Sequence, residues 1–246
     1  MSELNIKKRY YILDILRAIA IINMVIYHFL FDLYAFDMFS YFDSLLMNIY
    51  QQFICITFIF LSGFCFHLGR KQWKRGLIIL GCAAILSVVT FFMEFVVFGV
   101  FIAFGILCFM ASAIFITIPI HMLLKKAKYA HWVGFFVSLI AFIVLRYVYN
   151  FGTMEMTIAN GNYFTAYFGF PPDGFIAGDY FPILPWIFLY LTGYFAFSIL
   201  KQFNLLRYLS AFRSKPLEFI GRHSLIIYMA HQVILFPIVF LVSFIF

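Results

Sequence analysis

The sequence predicts an all-α integral membrane protein, a bundle of about seven transmembrane helices with its N-terminus cytoplasmic and its C-terminus outside. Of its 246 residues, 65% are hydrophobic and only 11% charged, with a mean hydropathy of +1.02. A soluble domain carries about 25% charged residues and has no interior large enough to hide so much apolar surface. Seven apolar stretches reach the roughly 17–25 residues that a helix needs to cross a hydrocarbon core. The net charge of +7 is spread in short clusters between those stretches, as a positive-inside topology requires, so it argues for a lipid bilayer and against nucleic acid as a partner.

The stretches begin near Tyr10, Tyr50, Gly76, Val97, His131, Pro182 and Phe219. The first follows Lys7, Lys8 and Arg9, a start that a cleaved signal peptide shares. Asp14 and Arg17 within the run, and the lack of a small-residue cleavage site, make it a permanent span instead. Arg70, Lys71, Lys74 and Arg75 separate the second stretch from the third. Lys125, Lys126 and Lys128 follow the fourth, and Lys201, Arg207, Arg213, Lys215 and Arg222 lie between the last two. With the N-terminus inside, 15 of the 17 Lys and Arg are cytoplasmic. The exceptions are Arg17, within the first span, and Arg146, near the outer end of the fifth. The segments assigned outside, about 32–49 and 150–181, hold no Lys or Arg but carry Asp32, Asp37, Asp43, Glu155, Asp173 and Asp179. Cys55, Cys65, Cys82 and Cys108 fall in predicted spans without metal-ligand spacing, which reads as apolar packing and predicts no metal. With no repeat or low-complexity tract, residues 1–246 read as a single domain.

The first span carries most of the chemistry. At about 100° per residue, Asp14, Arg17, His28 and Asp32 fall on one narrow face. A charge in the bilayer costs on the order of 2.5–3.5 kcal/mol even on insertion scales, so this face should turn toward protein or a wet cavity. Asp14 and Arg17, at i and i+3, can pair and reduce that cost. Pairing for packing alone would explain those two but leave His28 and Asp32 on the same face unaccounted for. Arg17 and His28 lie about 16 Å apart along the helix axis and nearly eclipsed. An extended ligand with an anionic inner end and a reactive outer end fits that spacing, and an acyl-CoA has such a shape. Free imidazole titrates near neutrality, so a histidine such as His28 can deprotonate a hydroxyl or amine, and Asp32, one turn on, can orient its ring. A proton-coupled transporter could use the same groups.

Other positions are weighed in the same way. Ser224, Tyr228 and His231 form a second polar stripe on the last span, suited either to a buried packing histidine or to a reaction cavity. Arg70 and Arg75 can bind donor phosphates, although positive-inside bias alone explains such a cluster. His67, nearby, suits donor contact or interfacial anchoring, while His121 and His131 read as boundary residues. The outer segment 150–181 is long for a helix connection and rich in Gly and aromatic residues, including Tyr180, which can offer apolar faces to a sugar ring. An interfacial aromatic belt is the alternative. Asp179, just before Pro182 and Pro185, places a carboxylate at the outer mouth of the sixth span.

The opening segment Leu13-Asp14-Ile15-Leu16-Arg17-Ala18-Ile19-Ala20, with Met24-Val25-Ile26-Tyr27-His28-Phe29, resembles the heparan-alpha-glucosaminide N-acetyltransferase catalytic-domain family. It is also similar to the Arg, ten residues, His pattern of the acyltransferase-3 group. Four further matches follow in order: Phe60-Leu61-Ser62-Gly63-Phe64, Phe104-Gly105-Ile106-Leu107, Asp179-Tyr180-Phe181-Pro182-Ile183-Leu184-Pro185-Trp186, and Gly221-Arg222-His223-Ser224-Leu225-Ile226-Ile227-Tyr228-Met229-Ala230-His231-Gln232. The ordered set resembles the family's bacterial branch, which implies a bacterial cytoplasmic membrane. The resemblance implies transfer of an acetyl or other small acyl group from cytosolic acetyl-CoA or another acyl-CoA to a sugar or glycan acceptor on the far side. It implies His28 as the catalytic residue and Arg17 as a donor-positioning one; Asp32, one turn beyond His28, and Asp179, at the outer mouth of the sixth span, join the catalytic candidates by position. Asp14, Arg17, His67, Arg70 and Arg75 would serve the donor, and Tyr180, Trp186, Tyr228 and His231 the acceptor. Two positions depart from the pattern. The eukaryotic enzymes carry Asn where His28 stands and a histidine in the next loop, whereas 33–49 here has none; Cys108 stands where relatives carry His.

Three function classes remain. A membrane acyltransferase uses the whole polar stripe. A proton-coupled small-molecule transporter would use the same charges, but the sequence shows no inverted repeat or paired Gly/Pro-broken helices. A non-catalytic scaffold leaves the stripe without purpose. The abundance of lipid-facing apolar residues also leaves room for a homo-oligomer.

Overall fold

The computed structural model describes residues 9–40, 44–95, 101–124, 127, 129–153 and 156–245. Lys7, Lys8, Asp43, Val97, Lys125, Lys126, Lys128, Glu155 and Phe246, which entered the topology reading, lie outside the described residues. The described residues form helices α1 (Tyr11–Ala35), α2 (Leu45–Phe64), α3 (Gln72–Met93), α4 (Ile106–Leu124), α5 (Ala130–Ile143), α6 (Tyr163–Phe168), α7 (Ile183–Gln202), α8 (Lys215–Arg222) and α9 (Ser224–Val242). Two isolated bridges are the only extended pairings among them. Among the described residues, seven helical segments are long and apolar enough to cross a membrane: Tyr11–Ala35, Leu45–Leu68, Gln72–Met93, Ile106–Leu124, Ala130–Val148, Ile183–Gln202 and Ser224–Val242. The protein is therefore an all-α, seven-span membrane protein, as composition predicts.

Two boundaries differ from the expected ones for identifiable reasons. The apolar run expected to open the fourth span near Val97 becomes helical only at Ile106, because residues 101–104 engage another segment through their backbone. Phe101 O accepts from Gly178 N at 2.9 Å, and Phe104 O accepts from Phe181 N at 2.8 Å. The last span begins at Ser224 rather than Phe219. Phe219 belongs to the separate amphipathic helix α8, which carries Pro216 in its first turn, as the N-terminal preference of Pro favours, and ends at Arg222 with His223 as its C-cap.

The chain divides into two compact units, 1–58 with 200–246, and 59–199. In the first, α1 packs on α8 and α9. Its core centres on Ile21, Met24 and Ile54, flanked by Val25, Tyr27, Tyr50, Phe58, Ile220, Ile227 and Tyr228. Tyr50 ties α2 to α1 by donating to the Asn23 side chain at 2.7 Å. The α1–α8 crossing is a backbone contact: a Cβ on Gly221 would sit 1.8 Å from Asp14 O. Glu218 on α8 is fully buried and clamped by Arg213 at 3.1 Å and Arg222 at 3.3 Å.

In the second unit, α3 packs on α4. The second part of α2 crosses α7 at two glycines, where a Cβ on Gly63 would meet Tyr190 O at 1.9 Å and one on Gly193 would meet Phe60 O at 2.1 Å. Small residues at a crossing let helix backbones approach closely in a lipid environment, where dispersion contacts rather than water drive association. Within the apolar α5–α7 contact, Ser138 and Thr192 satisfy each other at 3.0 Å.

Candidate functional site

The first unit assembles the polar face of α1 into two groups. Near its N-terminal end, Asp14 is buried and accepts from Arg17 at 3.2 Å, the expected i, i+3 pair. It also accepts from Arg9 at 2.8 Å, a partner that helical spacing does not reveal because Arg9 precedes the helix. Two guanidinium groups on one carboxylate offset the cost of burying it.

About three turns further along, His28 meets His231 of α9, with ring centroids 4.8 Å apart and planes inclined by 57°. His231 is buried, and its Nδ1 donates to the Tyr228 carbonyl one turn earlier. That bond fixes the proton on Nδ1 in the neutral ring and leaves Nε2 as a lone-pair acceptor. Nε2 is buried and without a hydrogen-bond partner among the described residues. Asp32, also buried, accepts from Gln232 at 3.2 Å through Oδ1. Asp32 was expected to orient His28; its hydrogen bond goes instead to α9, and its Oδ2 is buried without a partner among the described residues. Asp32 and His231 are both buried, so their contacts are screened less than they would be in water.

Nothing in the sequence pattern assigns Gln232 a role. The neighbouring Asp32 on α1 is what gives it one, and that proximity exists only after α1 and α9 pack. Tyr228 contributes its carbonyl to His231 and its ring to the core. The clamp on Glu218 was also missed, although the i, i+4 spacing of Glu218 and Arg222 amid basic residues was a usable signal.

The remaining candidates belong to the second unit. Asp179 Oδ2 accepts from Ile106 N, the first residue of α4, at 2.9 Å. It therefore caps that helix from a distant segment, where a carboxylate also meets the positive end of the helix dipole. Gly105 makes room, since a Cβ there would approach Asp179 Oδ2 to 2.9 Å. Thus the motifs Phe104–Leu107 and Asp179–Trp186, 70-odd residues apart in the chain, form one junction. Tyr180 donates to Ala166 O at 2.7 Å and packs on Phe175. Trp186 is 2% exposed, with the Arg146 guanidinium 5.1 Å above its ring and Phe142 and Phe181 beside it. These contacts make Tyr180 and Trp186 packing elements of the loop and span. In the stretch 156–181, Asn162 and Thr165 close a reciprocal capping box on α6, and Asp173 accepts from Thr157 at 2.6 Å.

His67 stacks between Tyr194 and Phe197, at centroid distances of 4.5 and 4.7 Å, and lies 3.2 Å from Tyr194 O and 3.3 Å from Ser198 Oγ. His121 meets the Tyr194 hydroxyl at 2.9 Å, so it is part of this aromatic group rather than a simple boundary residue. Arg70 is exposed and Arg75 half-buried in the turn and helix that follow.

The junction at Asp179 has a pH consequence. Burial pushes its carboxyl from 3.8 up to about 6, against the opposing bond from Ile106 N–H. An acid whose folded pKa lies above its unfolded one binds its proton more tightly when folded. The stability this supplies is complete below about pH 4 and is lost as pH rises through 6. Asp179→Asn keeps an oxygen for Ile106 N–H and removes the buried charge. Relative to that variant, the wild type should lose up to about 3 kcal/mol between pH 4 and pH 7. Parallel thermal melts check this, and a stability gap that does not change with pH contradicts it.

With this geometry in place, the comparisons with known proteins are specific. The family described as heparan-alpha-glucosaminide N-acetyltransferase, catalytic, matches residues 9–233. That span contains the Asp14 pair, the His28–His231 and Asp32–Gln232 contacts, and the Asp179 junction. No curated protein and no solved structure matches the chain. The match covers nearly the whole sequence, and the chain belongs to the heparan-alpha-glucosaminide N-acetyltransferase catalytic family.

Proposed function

We propose that this protein is a membrane acyltransferase, with 1–246 as one catalytic domain, that moves an acetyl or other small acyl group from cytosolic acyl-CoA to a sugar or glycan acceptor outside. The observation that carries the reading is the His28–His231 contact, formed inside an apolar helix pair and within the span that matches an acetyltransferase family. The N-terminus is cytoplasmic in this reading, so α1 runs outward from the donor's side to the acceptor's.

The chemistry follows from the residues. An acceptor amine or hydroxyl attacks the thioester carbonyl, its N–C or O–C bond forms as the C–S bond breaks, and CoA leaves as the thiolate, which is protonated by the proton that His28 has taken up. His28 accepts the proton that the attacking group loses. The open lone pair of His231 beside it favours the cation that His28 becomes, and the Tyr228 carbonyl holds His231 in that tautomer. The Asp32–Gln232 bond holds α1 against α9 so that the two imidazoles keep their spacing. Arg17, toward the cytosolic end of the same face, positions the donor.

The test is transfer by purified protein in proteoliposomes, with radiolabelled acetyl-CoA on one side and a mixed panel of amino sugars and glycans on the other. Label covalently attached to a sugar supports the reading. Accumulation of an unmodified solute driven by a proton gradient, without labelled product, would replace it with the transporter.

A further inference from the structure

One cavity lies outside everything assigned so far. It has a volume of about 370 Å³ and is lined by Tyr10, Lys201, Asn204, Leu206 and Arg207, all residues of the first unit. We infer that this cavity binds the phosphate-bearing end of a ligand.

Charge carries the first part of the argument. Two of the five lining residues are cations and none is an acid. The carboxylates nearest in the chain are already committed: Asp14 holds Arg9 and Arg17, and Glu218 holds Arg213 and Arg222. Among the described residues no carboxylate pairs with Lys201 or Arg207. Both side chains are exposed, so each reaches solvent and can meet an incoming anion without first leaving an internal ion pair.

Shape and order carry the second part. Leu206 and Arg207 belong to the 3₁₀ turn Leu205–Ser210, which is tied to the residues before α1 by Ser210 Oγ donating to Arg9 O at 2.8 Å. Arg207 is held in place: its guanidinium lies 4.9 Å over the Tyr208 ring and donates to the Tyr208 hydroxyl at 2.9 Å. Asn204 adopts a left-handed φ of 56° at the turn's start, with its backbone N–H on Lys201 O at 3.2 Å. A planar guanidinium held this way suits bidentate contact with phosphate oxygens, with the Lys201 ammonium as a second charge and the Asn204 amide as a neutral donor. The volume falls in the range of small-ligand sites and exceeds what a single inorganic phosphate needs. Tyr10 and Leu206 supply an aromatic face and an apolar floor. The cavity thus fits a phosphate attached to something flat or apolar.

Two sources have this chemistry: the nucleotide end of the acyl-CoA donor and the headgroup of an anionic lipid. The first rests on the proposed function; the phosphate site itself does not. The experiment uses the full-length protein in neutral phosphatidylcholine nanodiscs. Adenosine 3′,5′-bisphosphate and a soluble short-chain phosphatidylglycerol are titrated separately, with short-chain phosphatidylcholine as control, into wild type and Lys201→Gln/Arg207→Gln. Both positions are exposed, and an unchanged melting temperature confirms that the variant folds. Wild type should bind the bisphosphate, with affinity falling at least tenfold in the variant and weakening with added salt. If the phosphatidylglycerol shows that dependence and the nucleotide does not, the phosphate site stands with a lipid as its source. If neither ligand distinguishes wild type from the variant, the inference is overturned. If acyl transfer is absent while bisphosphate binding persists, the proposed function fails and the phosphate site remains.

Discussion

Replacing His28 with Ala should reduce acyl transfer by about 10²–10⁴-fold, the usual contribution of a positioned general base, while acetyl-CoA affinity stays within a few-fold of wild type. The thioester is attacked slowly by a neutral amine or hydroxyl whose proton has nowhere to go, and in the proposed mechanism His28 on α1 takes it. His231 beside it is buried and committed through Nδ1 to the Tyr228 carbonyl, so it supports rather than replaces His28. His231→Ala should therefore cost less than His28→Ala and leave a measurable rate. Kinetics with saturating donor and varied acceptor, on variants whose melting temperatures match wild type, give both values. Full turnover by His28→Ala would remove the base assignment and pass it to His231. Incubation with labelled acetyl-CoA and no acceptor separates two routes: label trapped on His28 means that His28 attacks the thioester first, and its absence is what direct transfer requires.

Adding one methyl group at Gly221, Gly63 or Gly193 should prevent recovery of folded protein or lower its melting temperature steeply. At each site the new Cβ would lie about 2 Å from a main-chain carbonyl oxygen, of Asp14, Tyr190 and Phe60 respectively. A flexible side chain can swing away from such an intrusion, whereas a helix backbone must move as a body. Moving it separates the faces that the crossing holds together, and overpacking costs of about 1–3 kcal/mol become lower bounds. Gly81 on α3 is the internal control, because nothing lies within 4 Å of its would-be Cβ. Gly81→Ala should be neutral or stabilising by about 0.5–1 kcal/mol, as relief of a glycine in a helix interior. Thermal unfolding in one detergent compares all four. Normal stability of Gly221→Ala would contradict the close α1–α8 crossing. The same substitution also bears on the Asp14 pair, since Gly221 rests on the Asp14 backbone.

Membrane class, the seven spans and the polar stripe on α1 were all legible before any coordinates, because they depend on local quantities. An apolar run long enough to cross a bilayer declares itself by length and composition. Asp14, Arg17, His28 and Asp32 declare a shared face by helical period alone. The Asp14–Arg17 pair follows from i, i+3 spacing, and the ordered motifs were enough to suggest the family that the match over 9–233 then showed. What sequence left open was the partner of each polar group. Asp32 was paired in prospect with His28, its neighbour on the helix, yet its hydrogen bond goes to Gln232, 200 residues away. Asp179 looked like a free carboxylate at a loop mouth, and it caps α4 through Ile106. Tyr180 looked like a sugar platform and Trp186 like an acceptor contact; the Tyr180 hydroxyl and ring meet Ala166 and Phe175, and the Trp186 ring meets Arg146 and Phe142. The physical reason is common to all three: burial in an apolar medium makes an unpaired polar group costly. Which partner meets that cost depends on which helices lie side by side, and only the packing of α1 on α9, or of the loop on the start of α4, determines that.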